Sequence, residues 1–235
     1  MLKVYIGFDP QERRAFSVAA ASLARHASVP LDVQPLNLER LVTSGLHTRP
    51  IDRRGDELYD LISGAPQATE FALTRFLVPI LGQSGWALYL DCDVVVLGDV
   101  GELLHTVDPC KAISVVQHRH EPTDDRKMAG KQQSIYERKN WSSLMLWNLS
   151  HPANRRLTLQ AVNSWQGRDL HRLCWLHDAE IGALDAGWNW LVNEQPRPER
   201  LRVAHFTAGG PWLANWRPAP HDDIWTNAER EAFGT

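Results

Sequence analysis

The stretch "GWALYLDCDVVVLGDVGELL", residues 85–104, runs an apolar segment straight into two aspartates. Trp86, Ala87, Leu88, Tyr89 and Leu90 are continuously apolar, as expected of a strand buried on both faces of a parallel sheet. Asp91 and Asp93 break the run. Side chains two apart on a strand point the same way, so this reading directs both carboxylates to one site and Cys92 to the opposite side. Two bare carboxylates held that close repel each other, which calls for a positive group to neutralise them. Two hard oxygen ligands favour Mg²⁺ or Mn²⁺ over zinc, and such ions commonly also hold substrate phosphates, so a metal-bridged diphosphate is expected. Asp-x-Asp is a short pattern that chance alone supplies about once at this chain's aspartate content. The plain alternative is a strand end with two solvated carboxylates, but the "VVVLGD" that follows is too apolar for an open surface edge.

Outward from this stretch, strands alternate with helices. "LKVYIGF" is a short run of β-formers followed by Asp9-Pro10, which suits a strand leading into a helix N-terminus. "PQERRAFSVAAASLARHA" puts Phe16, Ala19, Ala20 and Leu23 on one helical face. "LDVQPLNL" reads as a second strand that Pro35 demotes toward an edge. Residues 44–66 hold Gly, Pro and charges without period and read as a loop or lid, and "ATEFALTRFLVPIL" reads as a helix that Pro79 kinks or ends. After the aspartates come a short helix at "VGELLHTV", a strand at "AISVV", a polar excursion from Gln117 to Asn140, and a strand at "SSLMLWNL". Helices follow at "HPANRRLTLQAVNSW" and "HDAEIGALDAG", and a late strand at "RVAHF". The alternation predicts one α/β domain over 1–235 with helices on both faces of its sheet, and a short C-terminal tail from about residue 213. Ligands of such sheets sit beyond the carboxyl ends of the strands, where Asp91 and Asp93 lie.

The net charge of −3, from 25 basic and 28 acidic residues with no basic run, argues against nucleic acid as a partner. Cys92, Cys110 and Cys174 lack Cys-x-x-Cys spacing and read as reduced thiols of a cytoplasmic protein. "MLKVYIGFDP" lacks the long apolar core of a signal peptide, and no stretch approaches the roughly 18 apolar residues of a membrane span. No transmembrane segment is therefore expected, although peripheral contact with a membrane-bound acceptor is compatible with the sequence. Nine of the ten tryptophans follow residue 140. Aromatic rings pack on the apolar faces of sugars, so Trp141, Trp212 and Trp216 are candidates to line an acceptor site, with core packing as the alternative.

Taken in order, "VYIGFD", "TRFLVP", the Asp-x-Asp strand end, "SLMLWNL" and "HFTAGGPW" resemble the retaining, nucleotide-sugar-dependent glycosyltransferases of family 8, over most of residues 2–212. The resemblance implies a small GT-A fold with a mixed, mostly parallel sheet. It also implies a hexosyltransferase-like enzyme that moves a sugar with retention from a nucleotide-diphosphate donor, with a family leaning to uridine, to a carbohydrate or glycolipid acceptor. Asp91, Asp93 and His205 then bind Mn²⁺ (or Mg²⁺), Asp9 contacts base and ribose, and Arg75 contacts the nucleotide sugar. Cys92, between the aspartates, falls in the same donor-binding segment. Gly209 and Gly210, with Thr207, have side chains small or absent enough to let backbone approach a phosphate, and Trp212 adjoins them. Each residue has a plainer reading: a structural His205, a paired Arg75, an Asp9 that caps the following helix.

The sequence departs from the family pattern in three places. A lysine before Pro-Trp that touches the diphosphate in the family is Gly210 here, with the spacing one residue shorter. Lys127, Lys131, Arg138 and Lys139 of the polar excursion are candidates to replace it if that segment closes over the donor. The family's Asn-Ala-Gly before the "SLMLWNL"-like strand is Trp141-Ser142-Ser143. In "WLHDAEIGAL", Asp178 aligns with the first aspartate of an Asp-Gln-Asp segment and is the candidate catalytic residue, while the glutamine is replaced by Ala179. Asp178 and Glu180 as first-turn helix acids are the alternative. The favoured retaining route is front-face, with the leaving diphosphate's own oxygen helping to deprotonate the acceptor hydroxyl. A nucleotidyltransferase of the same fold and a non-catalytic nucleotide- or glycan-binding protein are the competing functions.

Overall fold

Val4 and Ile6 face one side of the first strand and Tyr5 the other, and all three are buried, so that strand must be covered on both faces. It is β1 (Leu2–Phe8) of a computed structural model that describes residues 1–55, 57–118, 138 and 140–234. The other strands are β2 (Leu31–Asn37), β3 (Ile51–Arg54), β4 (Glu57–Asp60), β5 (Ala65–Gln67), β6 (Trp86–Leu90), β7 (Val94–Val96), β8 (Ile113–Val115), β9 (Leu144–Asn148), β10 (Ile181–Ala183), β11 (Trp190–Leu191) and β12 (Val203–His205). The helices are α1 (Arg13–His26), α2 (Leu38–Thr43), α3 (Val78–Gly82), α4 (Leu103–Thr106), α5 (Leu159–Ser164), α6 (Gly167–His171) and α7 (Asp222–Phe233).

Six strands form the central sheet in the order β10-β8-β9-β6-β1-β2. Every adjacent pair is parallel except the two that β9 makes, so the sheet is mixed and mostly parallel as the sequence predicts. On one face Val4, Ile6, Leu88 and Leu90 pack with Ala19 and Leu23 of α1. On the other, Tyr5, Ala87, Tyr89, Met145 and Trp147 pack with residues of α3, α5 and α6. Pro35 lies on β2 at the sheet edge, where its missing N–H leaves no ladder bond unmade.

β7 and β12 leave this sheet and pair with β11 in a second, three-stranded one. Asp91 to Asp93 therefore do not continue a strand but form the crossing from β6 in the central sheet to β7 in the second. The crossing is pinned from both sides, by Asp91 N–H on the Ser143 carbonyl at 2.9 Å and by Phe206 N–H on the Asp93 carbonyl at 2.9 Å. Since β12 runs antiparallel to β7 with His205 opposite Val94, the histidine is delivered to the aspartates by sheet register.

Several local expectations are corrected. Residues 44–66 are not a lid: β3, β4 and β5 form a small antiparallel sheet. It is tied down by the buried Arg49–Asp60 pair and by Arg49 Nη1 donating to the carbonyls of Val162 and Trp165. Its strands are too short for an alternation to show in sequence. Pro79 begins α3 after a 3₁₀ turn at Thr74–Leu77, a first-turn position where its lost N–H costs nothing. "HDAEIGALDAG" is a 3₁₀ turn, Asp178–Glu180, followed by the edge strand β10. The C-terminal tail forms α7, whose Trp225 and Ala228 pack with Ala15 and Val18 of α1. Residues 119–137 and 139 of the polar excursion, with Lys127, Lys131 and Lys139, lie outside the described residues.

Candidate metal and donor site

Asp91, Asp93 and His205 meet where the two sheets part. Their ligand atoms all lie within 4.8 Å of one another, in the only arrangement of its kind among the described residues. His205 Nε2 stands 3.1 Å from Asp93 Oδ1 and 4.0 Å from Asp91 Oδ2. Two carboxylates and one imidazole are groups that a divalent metal ion takes as ligands, and the acidic excess around them fits a cation.

Asp91 is held by both its oxygens. Tyr89 Oη donates to Oδ1 at 2.6 Å, and Arg75 Nη1 approaches Oδ1 at 3.0 Å and Oδ2 at 3.3 Å while also donating to the Ser142 carbonyl at 2.9 Å. Burial raises the Asp91 pKa, Arg75 opposes the rise, and Asp93 adds to it. Burial pulls His205 down, but the charges of Asp93 and Asp91 outweigh it and its pKa is raised. Glu12, just before α1, is pushed up to about 8 by burial and by the nearby Asp93, Asp9 and Asp91 carboxylates. All three shifts record surplus negative charge held away from water.

Other sequence candidates take different places. Asp9 caps the 3₁₀ turn Pro10–Glu12 through Gln11 N–H and also accepts from Glu70 N–H, so the capping reading describes its contacts. Arg75, expected to touch the donor, is buried and engaged with Asp91 and backbone carbonyls. The Cys92 thiol is buried and donates to Glu12 at 3.2 Å, away from the group that its neighbours form with His205. Gly209 has φ +99°, a conformation that glycine takes without strain, and a Cβ at Gly210 would overlap the Trp212 ring. Their glycine character thus follows from the turn and from the seating of Trp212. Trp212 itself packs edge-on to Phe206 and tilted against Trp225, inside the core.

The candidate catalytic residue Asp178 has its own set of contacts. It precedes the start of β10, whereas Asp91 follows the C-terminal end of the parallel strand β6. Its side chain is 91% exposed and paired with Arg138, which also donates to the carbonyls of Arg172 and Leu173. Arg138, a candidate to replace the family's lysine, is thus engaged with Asp178 and two backbone carbonyls.

Sequence reasoning missed the buried amide of Asn189, which contacts His205, His118 and Ser143. A lone amide between Trp188 and Trp190 was the available signal, since a polar group inside an aromatic run must find partners.

No protein-family model matches the chain. Among solved structures, glycosyltransferase GlyE of Streptococcus pneumoniae TIGR4 superposes with a TM-score of 0.58 at 11% identity, over 97% of this chain and 61% of that one. The chain thus spans less than two thirds of GlyE. The galactosyltransferase LgtC, in complex with donor and acceptor sugar analogues, superposes with a TM-score of 0.57 at 14% identity, over 98% of this chain and 96% of that one. These likenesses place the architecture described above as a GT-A fold. Protein CDI of Arabidopsis thaliana is 36% identical over 235 residues, covering 97% of this chain and 86% of that protein. With that identity carried across most of both sequences, the chain belongs to the Protein CDI family.

Proposed function

We propose that this chain is a metal-dependent glycosyltransferase of the family 8 kind, moving a sugar with retention from a nucleoside-diphosphate donor, a uridine diphosphate sugar, to a carbohydrate or glycolipid hydroxyl. The observation that carries the reading is the convergence of Asp91, Asp93 and His205 where two sheets of a GT-A fold meet. These three residues would hold Mn²⁺ (or Mg²⁺), whose charge stabilises a leaving diphosphate. Arg75 and Tyr89 fix the Asp91 carboxylate, so the site need not reorganise as the donor binds. In the front-face route the anomeric carbon–phosphate oxygen bond breaks and the bond to the acceptor oxygen forms on the same face. The acceptor's proton passes to the departing diphosphate oxygen, so no side chain has to act as base or nucleophile, and Asp178 would serve only to position sugar hydroxyls.

Thermal shift with uridine diphosphate, Mn²⁺ and chelator tests the reading, together with release of uridine diphosphate from its sugars. Nucleotide plus Mn²⁺ should stabilise the protein, and chelation, Asp91→Asn or Asp93→Asn should remove that stabilisation. Equal stabilisation by the nucleotide with chelator present would refute the metal assignment. Formation of nucleotide sugar from a nucleoside triphosphate and a sugar phosphate would replace it with nucleotidyl transfer.

A further inference from the structure

Asn189 ends a 3₁₀ turn, Ala186–Asn189, and is wholly buried. Its neighbours Trp188 and Trp190 pack into two different core clusters, which fixes the backbone between them and leaves the amide little freedom to swing. Asn189 Oδ1 lies 2.9 Å from His205 Nδ1. Its Nδ2 donates to Ser143 Oγ at 2.9 Å and lies 3.1 Å from His118 Nε2.

The orientation of this amide follows from its partners. Ser143 Oγ spends its hydrogen on the Asn140 carbonyl at 2.8 Å, so towards Asn189 it accepts and the group facing it must be the NH₂. The second NH₂ hydrogen meets His118 Nε2, which accepts it in the tautomer with its proton on Nδ1, burial disfavouring the doubly protonated ring by lowering its pKa to about 4. Oδ1 is left to face His205, and an oxygen there can only accept. The His205 Nδ1 thus carries a proton, and Nε2 is directed at Asp93 Oδ1, 3.1 Å away. With a metal present, Nε2 can offer it a lone pair without any change of tautomer. Were the amide reversed, its NH₂ would confront Nδ1 and drive the proton to Nε2, blocking coordination.

We infer that Asn189 is a positioning residue that sets the His205 tautomer and ring orientation for metal binding, anchored in turn by Ser143 and His118. This rests on the metal reading above and adds a dependence on a residue that cannot itself reach the ion. Outer groups that orient a ligating histidine typically change metal affinity by about 10- to 100-fold when removed.

The test is Mn²⁺ affinity, read from the electron paramagnetic resonance signal of free Mn²⁺, on protein confirmed as folded by circular dichroism. Asn189→Leu should weaken Mn²⁺ by about 10- to 100-fold, and in the His205→Ala background it should add nothing further, because its effect runs through the ring. Asn189→Asp keeps an oxygen towards Nδ1 and should retain tighter binding than Asn189→Leu; it carries the test if the leucine variant does not fold. Wild-type affinity in the Asn189 variants, or a loss as large without His205 as with it, overturns the inference. If His205→Ala and Asp91→Asn also bind Mn²⁺ as the wild type does, the metal site itself is wrong and the inference falls with it. Weakening by Asp91→Asn with none by Asn189→Leu sinks the inference alone.

Discussion

Arg75→Met separates two roles for the arginine, contact with the donor and support of Asp91. The side chain is buried and donates to the carbonyls of Phe71 and Ser142, faces the rings of Phe71 and Tyr89 at 5.6 and 5.2 Å, and pairs with Asp91 at 3.0 Å. Methionine keeps the apolar stem but removes the charge and every donor. What remains is a buried carboxylate with one hydroxyl partner, Tyr89, and a carbonyl at Ser142 that has lost its guanidinium. Breaking a buried pair in this way costs about 3–5 kcal/mol. For a chain of 235 residues each kcal/mol lowers Tm by roughly 2–4 °C, so a drop of about 6–20 °C is expected in metal-free protein.

Two further measurements make the argument refutable. Saturating Mn²⁺ should recover part of the loss, because the ion restores a positive charge beside Asp91. Asp91→Asn combined with Arg75→Met should cost less than the sum of the two, since the asparagine leaves no uncompensated charge behind. A metal-free Arg75→Met protein melting within about 2 °C of wild type would refute the supporting role, that being under 1 kcal/mol on the same scale. If in addition only KM for the donor rose, Arg75 would be a donor contact after all.

Gly210→Ala puts a methyl into the Trp212 ring and should cost about 1–3 kcal/mol by urea unfolding, whereas a glycine kept for phosphate approach would instead show unchanged stability and weaker nucleotide binding. Burial lowers the pKa of His47 and His118 to about 4 and that of His171 to about 3, with Arg49, His205 and Arg75 respectively adding to the effect. At these three positions the unfolded chain therefore binds more protons than the native one as pH falls from about 6.5, so their contribution to stability should be complete above that value and be lost towards pH 3. His47→Asn should flatten this decline in urea midpoints between pH 7 and 4, and an unchanged slope would contradict the burial argument.

The parts of the fold legible in the sequence are those where chemistry and period coincide. β1, α1 and β6 show continuous apolar runs or a helical face, and Pro35 announces an edge because proline cannot donate to a ladder. Three-residue strands such as β7 and β10 offer only one and a half periods of alternation, which is why the segment holding β10 reads as a helix. The metal group was legible for a related reason: carboxylates after a buried strand are costly enough to demand a purpose. Its supports were not. Tyr89, Ser143 and Asn189 look like ordinary strand or turn residues until register and crossing bring them to Asp91 and His205. Asp9 and Arg75 were found as positions, but not their partners within the chain, the backbone at Gln11 and Glu70 for one and Asp91 and the Ser142 carbonyl for the other.

If the chain binds metal and nucleotide as proposed, the charge balance at the site would set the order in which they enter. Three carboxyl groups, Asp93, Asp9 and Asp91, lie close enough to influence Glu12 electrostatically, and Arg75 and His205 oppose this negative charge nearby. In metal-free protein protons make up part of the difference, which is why Glu12 holds its proton up to about pH 8 and His205 is biased towards its charged form. A diphosphate approaching that cluster meets repulsion and offers nothing to offset its own dehydration. A divalent cation reverses the sign of the local field and displaces protons as it binds, since ligands must be deprotonated to coordinate. The nucleotide then has a partner. On that reading metal before nucleotide would follow from where the acids stand, and the affinity for the nucleotide would inherit both the metal dependence and the pH dependence of the carboxylates beneath it.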